Sequence, residues 1–466
     1  MAVNYYYNRI VQLNVSETVA PTPNRLQGTA AIVSMGGTTI AAGTTQFIGS
    51  SSDLATYLVT PFDVASASWS AGIASVTLTN PHGIPLGTTT TIVVSGVSPT
   101  GYNGTFTATA YNTTTFQYSV AAPGSYVSGG TVQAGPQVYL EAADATWWAQ
   151  GNAFTGYYIY ETGTAVNATA IASVGTYLSA HPQSIYNWGF LPGVDADHTD
   201  LRALLLEYNA LTSLIKFYLP VSTATYSSWY QEDTLRNTFI MIQSPAAGVT
   251  ELDIYAFMNY MTAFNPTPTN RLPPSQYTYL NGVTAYQPLT QTTINNFTTN
   301  GIVNFVATGA EGGISNTILV PGKNLNRTPA NVAYSIDWQQ IQMNQAIANA
   351  VINGSNNPES PLYYNQDGIN FLQQVASTVA TRALQCGLAL GQVILTQLDA
   401  DTFASNVQQG VYAGNYVINA VPFSTWVSVS PADYANQIYG GLSAAYTPQY
   451  GFETIVFNLN VTQFAG

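Results

Sequence analysis

Charge is what this sequence has least of. Asp, Glu, Lys and Arg make up 7% of its 466 residues, against about 25% in an ordinary soluble domain. Nine basic residues face 22 acidic ones, so the basic footprint that nucleic acid requires is missing. A polybasic patch for an anionic membrane surface is missing too. Cysteine is down to one, Cys386, which excludes an intrachain disulfide and a fold that depends on one. Histidine is down to His82, His181 and His198, which leaves few catalytic designs. No run approaches the roughly 18 apolar residues of a membrane-spanning helix. Residues 1–10 are tyrosine-rich and polar, with no apolar core of a secretory signal, so assembly in a cytoplasm is expected.

What is present is apolar bulk and uncharged polarity. The 46% hydrophobic fraction and 32 tyrosines exclude disorder, which needs low hydrophobicity and high charge. Such a surface suits broad contact with other proteins, because Tyr buries area at low entropic cost. The length allows about three domains.

Residues 1–22 read as an arm. Val11, Leu13 and Val15 alternate with Gln12, Asn14 and Ser16, the pattern of a half-buried strand. Pro21 and Pro23 end it, so it must find a sheet elsewhere, in its own chain or another. Residues 23–63 begin a globular domain. Between Asp63 and Glu141 there is no charged residue. Short β-rich runs at 75–79, 89–95, 105–111 and 115–120 alternate with turn signals such as Pro81-His82-Gly83 and Asn103-Gly104. Residues 64–135 are therefore expected to be an inserted, sandwich-like β-module. From 136 to 330 the pattern is α/β: apolar runs of strand length at 157–160, 186–191, 214–219 and 239–242 alternate with helical patterns. One carries Leu201, Leu204, Leu205 and Tyr208 on one face. That alternation predicts a mainly parallel sheet covered by helices.

Residues 331–466 read as an assembly domain around which the rest is organised. Ser335-Ile336-Asp337-Trp338 opens an amphipathic helix that Asn353-Gly354 should stop. Tyr363 to Ile369 leads into a second helix, and Ser430-Pro431-Ala432-Asp433 caps a short third. The chain closes on a strand pattern in which Ile455, Phe457, Leu459 and Val461 form one apolar face. The fold class expected is α/β, α+β overall, in several domains.

Three stretches together resemble the contractile-tail sheath subunits of bacteriophages, in particular the DUF3383 sheath-like branch. They are Arg9 to Ser16 with the Pro-rich step to Gly28-Thr29-Ala30, then Ser335 to Trp338 with Tyr364 to Ile369, and Ser430 to Tyr434 with the glycine pair Gly440-Gly441 and terminal strand. The resemblance runs nearly end to end except over 64–135. That span is similar to a small β-module of phage structural proteins, marked by Pro81-His82-Gly83, Tyr102 to Phe106 and Thr115-Phe116. The low charge departs from the family pattern. The resemblance implies a non-enzymatic structural subunit without cofactor or metal. It implies hexameric rings in a helical sheath around a tail tube protein, bounded by baseplate and tail terminator. The sheath belongs to the virion, is assembled in the host cytoplasm, and contracts to drive the tube through the host envelope. It further implies that Val11, Leu13, Val15, Asp337, Trp338, Ile455, Phe457, Leu459 and Val461 serve assembly, with both terminal strands donated to neighbours.

Two other readings compete. An adhesin or surface-layer protein would use the uncharged β-module to contact glycans. A hydrolase or metal site would use His198 with Asp195, Asp197 and Asp200. The ordinary account of those acids is a helix start favoured by the dipole and by capping. Cys386 lacks a paired base and reads as a small buried residue. Gly322-Lys323 lacks the earlier glycine of a phosphate loop. Trp147-Trp148 reads as packing at an element's edge.

Overall fold

The computed structural model describes residues 26–151, 156–210, 212–299, 302–308, 316–390, 393–395, 410–412 and 416–452. The expected arm strands, with Val11, Leu13, Val15, Ile455, Phe457, Leu459 and Val461, lie outside the described residues.

The centre is a six-stranded sheet. Its strands are β1 (Ala30–Ser34), β2 (Thr45–Ile48), β9 (Tyr157–Glu161), β10 (Asn187–Gly189), β11 (Lys216–Val221) and β12 (Thr238–Ile242). They stand in the order β12-β11-β10-β1-β9-β2, all parallel except β2 on the edge. The five parallel strands are thus in the doubly wound order 2-1-3-4-5, which reverses direction at β1. Both faces are apolar at period two, so both must be covered. Ala30, Ile32, Tyr218, Phe239 and Met241 meet the helices Gly135–Ala149 and Asp253–Ala263. Ala31, Val33, Phe217, Ile240 and Ile242 meet Asn167–Ala180 and His198–Glu207 on the other side.

Between β2 and the Gly135–Ala149 helix lie β3 (Phe62–Ser70), β4 (Ile73–Leu78), β5 (Thr89–Ser95), β6 (Gly104–Asn112), β7 (Thr115–Ser119) and β8 (Thr131–Ala134). These close into a barrel, in the order β3-β4-β7-β6-β5-β8. Strand spacing led to a sandwich-like expectation; pairing of β8 with both β3 and β5 joins the ends instead. Closure removes the edges that an uncharged strand set would otherwise expose. The barrel has its own core of Val76, Ile92, Tyr102, Phe116 and Tyr118.

β13 (Phe305–Thr308) and β14 (Thr317–Val320) form a hairpin whose Val306 and Phe305 extend the two sheet cores. The helix Ala330–Asn356 follows, then Gln366–Gln385 antiparallel to it. The first begins five residues before Ser335, because Pro329 pre-sets the turn and Ala330 N–H donates to Gly322 O at 2.9 Å. It runs past Asn353-Gly354 to Asn356, and the return chain packs there: a Cβ on Gly354 would lie 2.4 Å from Leu362 Cβ. The pair β15 (Val393–Leu395) and β16 (Gly410–Tyr412) and the pair β17 (Tyr416–Ala420) and β18 (Leu442–Tyr446) complete the described chain. Ser430 stands at the start of the helix Pro431–Ala435 without a side-chain capping bond.

Candidate assembly site

The first half of the Ala330–Asn356 helix is fastened to the sheet by polar groups. Asp337 is 1% exposed, and its Oδ2 lies 2.7 Å from Lys216 Nζ on β11, itself 3% exposed. The same oxygen accepts from Tyr186 Oη at 2.5 Å. Burial, with the Asp337 carboxylate beside it, pushes the Tyr186 phenol well above its usual range and keeps it a donor. Gln27 Nε2 donates to Tyr334 O at 3.0 Å, and Ser335 Oγ donates to Leu388 O at 2.7 Å. Trp338 is buried against the main core, with the Arg382 guanidinium 5.7 Å from its ring centre. Of the assembly residues expected from sequence, Asp337 and Trp338 are therefore occupied inside this chain. Lys216 was missed, although a lone Lys within Leu214-Ile215-Lys216-Phe217-Tyr218-Leu219 must find a carboxylate when that run is buried.

Past Trp338 the character changes. Val351, Ile352, Tyr363 and Phe371 are exposed around the tip of the helix pair, as are Val429 and Ile438. Exposed apolar side chains gathered in one region are a usual mark of a protein contact, and Tyr363 and Phe371 do line one groove.

The sheet's crevice has a different fate. Ligands of doubly wound sheets bind at the carboxyl ends of the strands where the order reverses. On the other side of β1 from that place, Glu161 is 1% exposed at the end of β9. Its Oε1 accepts from Gly36 N at 2.8 Å and Gly163 N at 2.6 Å. Its Oε2 accepts from Ser34 Oγ at 2.6 Å, Thr38 Oγ1 at 2.6 Å and Thr38 N at 3.2 Å. Glu161 thus ties the loop after β1 to the end of β9. The barrel stands over the same end, leaving a cleft of about 580 Å³ between Ile84, Thr89 and Tyr139 on one side and Met35, Val166 and Leu191 on the other. An acid closing a tyrosine run and followed by Thr-Gly was the signal for Glu161 in the sequence.

Folding disperses the acids around His198. Asp195 turns inward and accepts from Gly193 N at 3.1 Å, Ser222 N at 3.0 Å and the Thr225 hydroxyl. Asp197 accepts from Asp200 N at 3.4 Å and caps the helix. His198 lies 3.3 Å from Glu232, which also pairs with Arg202 at 2.7 Å. Among the described residues no three His, Cys, Asp or Glu side chains gather as a metal site. Cys386 is buried, and burial raises its thiol above the usual range. Trp147 is buried in the core, while the half-buried Trp148 donates to Asp144 Oδ1 at 2.7 Å.

No protein-family model matches the chain. No curated protein matches it either. Solved structures do. The helical sheath of the anti-feeding prophage in its contracted state aligns at 11% identity and TM-score 0.51, over 93% of this chain and 92% of that one. A sheath tail protein from Listeria innocua aligns at 12% identity and TM-score 0.41, over 78% and 86%. Another from Desulfitobacterium hafniense aligns at 10% identity and TM-score 0.38, over 84% and 92%. At these identities the prophage likeness establishes the fold, and it does so along nearly the whole of both chains.

Proposed function

We propose that the chain is the structural subunit of a contractile tail sheath, stacking as rings around a tail tube and contracting to drive the tube through an envelope. The observation that carries this is the fold shared end to end with the subunit of a contracted helical sheath. The exposed apolar tip of the helix pair supports it, since a finished monomer would not display one. In this reading residues 64–135 are an insertion carried on the outside, and the arms 10–16 and 454–462 pair with sheets of neighbouring subunits. Strand donation uses main-chain bonds that survive rigid rotation of rings. Beyond itself the subunit meets the tube protein, the baseplate and the terminator. From Asn331 onward Arg382 is the only basic residue, against seven acids counted from Asp337, Glu359, Asp367, Asp399, Asp401, Asp433 and Glu453. A tube exterior touching this region is then neutral or basic. Electron microscopy of the purified protein tests the proposal. Tubes or stacked rings are expected; a monodisperse monomer at high concentration sinks it.

A further inference from the structure

The Ala330–Asn356 helix carries complementary features at its two ends. At 27 residues it is about 40 Å long at ~1.5 Å per residue, so the two ends cannot meet within one chain.

At its start stands Arg327. It is exposed, and no carboxylate among the described residues pairs with it. Arg202, Lys216 and Arg382 are engaged with Glu232, Asp337 and the Trp338 ring, while exposed Arg271, beside Gly387, also pairs with no carboxylate among the described residues. The loop that carries Arg327 is stiff. Arg327 takes φ 69 and donates its N–H to Asn324 O at 3.0 Å. Buried Asn324 accepts from Thr328 N at 2.9 Å and donates to Arg236 O at 2.6 Å. A tip held this way loses little freedom on binding.

At the far end, the turn between the two helices encloses a groove of about 450 Å³. Asp367, Asn353, Tyr363 and Phe371 are among its walls. Tyr363 is 66% and Phe371 45% exposed, and Glu359 beside the groove is exposed as well. A carboxylate, amides and an aromatic ring are what a guanidinium recognises, by ion pair, hydrogen bonds and cation–π contact.

Resting on the assembly reading, we propose that the Arg327 loop of one copy seats in the 353–371 groove of a second copy, its guanidinium against Asp367 and the Tyr363 ring. The occupant is a second copy because cation and groove belong to one chain of net charge −13, which has few cations to spare. The contact is head-to-tail. Such contacts propagate, closing into a ring or continuing as a helix, and here the rigid helix sets the step between them.

Charge reversal tests it on the full chain, read by sedimentation and electron microscopy beside circular dichroism. Arg327→Glu and Asp367→Arg each put like charges together and are expected to weaken self-association by at least about tenfold. The double variant R327E/D367R restores an opposite pair and is expected to recover most of that loss. Arg327→Ala, which leaves the loop bonds intact, serves as second variant and should also weaken it. A single variant that assembles like wild type overturns the contact while leaving the sheath reading standing, as does a double variant no better than the singles. Wild type that never associates overturns both.

Discussion

The sheet and the outer end of the helix pair are built from similar apolar residues and end in opposite states. In the sheet, cores lie on both faces, and Glu161 and Asp195 each accept from donors of their own loop and of a neighbouring one. At the helix tip Ile352, Tyr363 and Phe371 face outward, and Arg327 at the other end pairs with no carboxylate among the described residues. One region is complete as a monomer; the other leaves apolar side chains and a cation exposed. Asp337 and Lys216 lie at the boundary, which explains why a buried ion pair is kept there. It ties the first half of the helix to the sheet.

That boundary yields the largest expected effect. Lys216→Ala leaves Asp337 buried with only Tyr186 as partner and should cost about 3–5 kcal/mol, the range for orphaning one partner of a buried pair. Urea unfolding of the full chain measures it. A loss below about 1 kcal/mol would show that the pair is not what fastens the helix. Replacing both, as K216M/D337L, should return most of the stability, because two apolar groups need no pairing. If register depends on the pair, the double variant should fold yet assemble poorly.

The second prediction sharpens the contrast from the side of assembly. Leu13→Pro removes a ladder donor within the proposed donated strand. It should abolish tube formation in sedimentation while leaving circular dichroism unchanged. Unfolding of the monomer, or tubes as long as wild type, would mean residues 10–16 are not an intermolecular strand.

The third concerns the barrel, a region complete in a different way, by closure. Replacing residues 64–135 with a short Gly-Ser linker should leave the sheet folded and tubes forming, since the sheet cores draw on none of β3 to β8. A small loss is expected where Tyr139 Oη donates to Thr91 Oγ1 at 3.0 Å. Insoluble or unfolded protein would show that the span is integral.

These contrasts were unequally legible in the sequence. Buried parallel strands announce themselves as apolar runs, so 157–160, 214–219 and 239–242 could be placed to within a few residues. The charge-free span marked out the strands that form the barrel, but closure depends on β8 reaching β5 about 40 residues back and β3 about 70 back, pairings that no local pattern encodes. Helix ends were misjudged for a similar reason. Gly354 reads as a stop, and its function is to let Leu362 approach. Polar sites were hardest. Asp337 stood out in sequence as a motif residue, yet its partner Lys216 lies 121 positions earlier, and nothing local pairs the two.

The smallest expected effect tests a place where the sheet region breaks its own rule. Asp253 opens its helix only 1% exposed, and among the described residues neither carboxylate oxygen has a partner within hydrogen-bond geometry, the Ser244 backbone being its nearest polar help. Burial, then the nearby Glu251 carboxylate, pushes its carboxyl well above the usual range. An acid whose pKa is higher folded than unfolded takes up a proton on folding. Its contribution is therefore fully present below the ordinary Asp pKa of about 4 and is lost as pH rises through the folded value. Asn is neutral and nearly isosteric, so Asp253→Asn removes that dependence. The stability of the variant minus that of wild type should grow from about pH 4 upward and level off once the buried acid ionises. Urea unfolding of both proteins at about pH 5 and about pH 8 reads the difference. A gap that does not change with pH would mean Asp253 is charged and compensated in the fold.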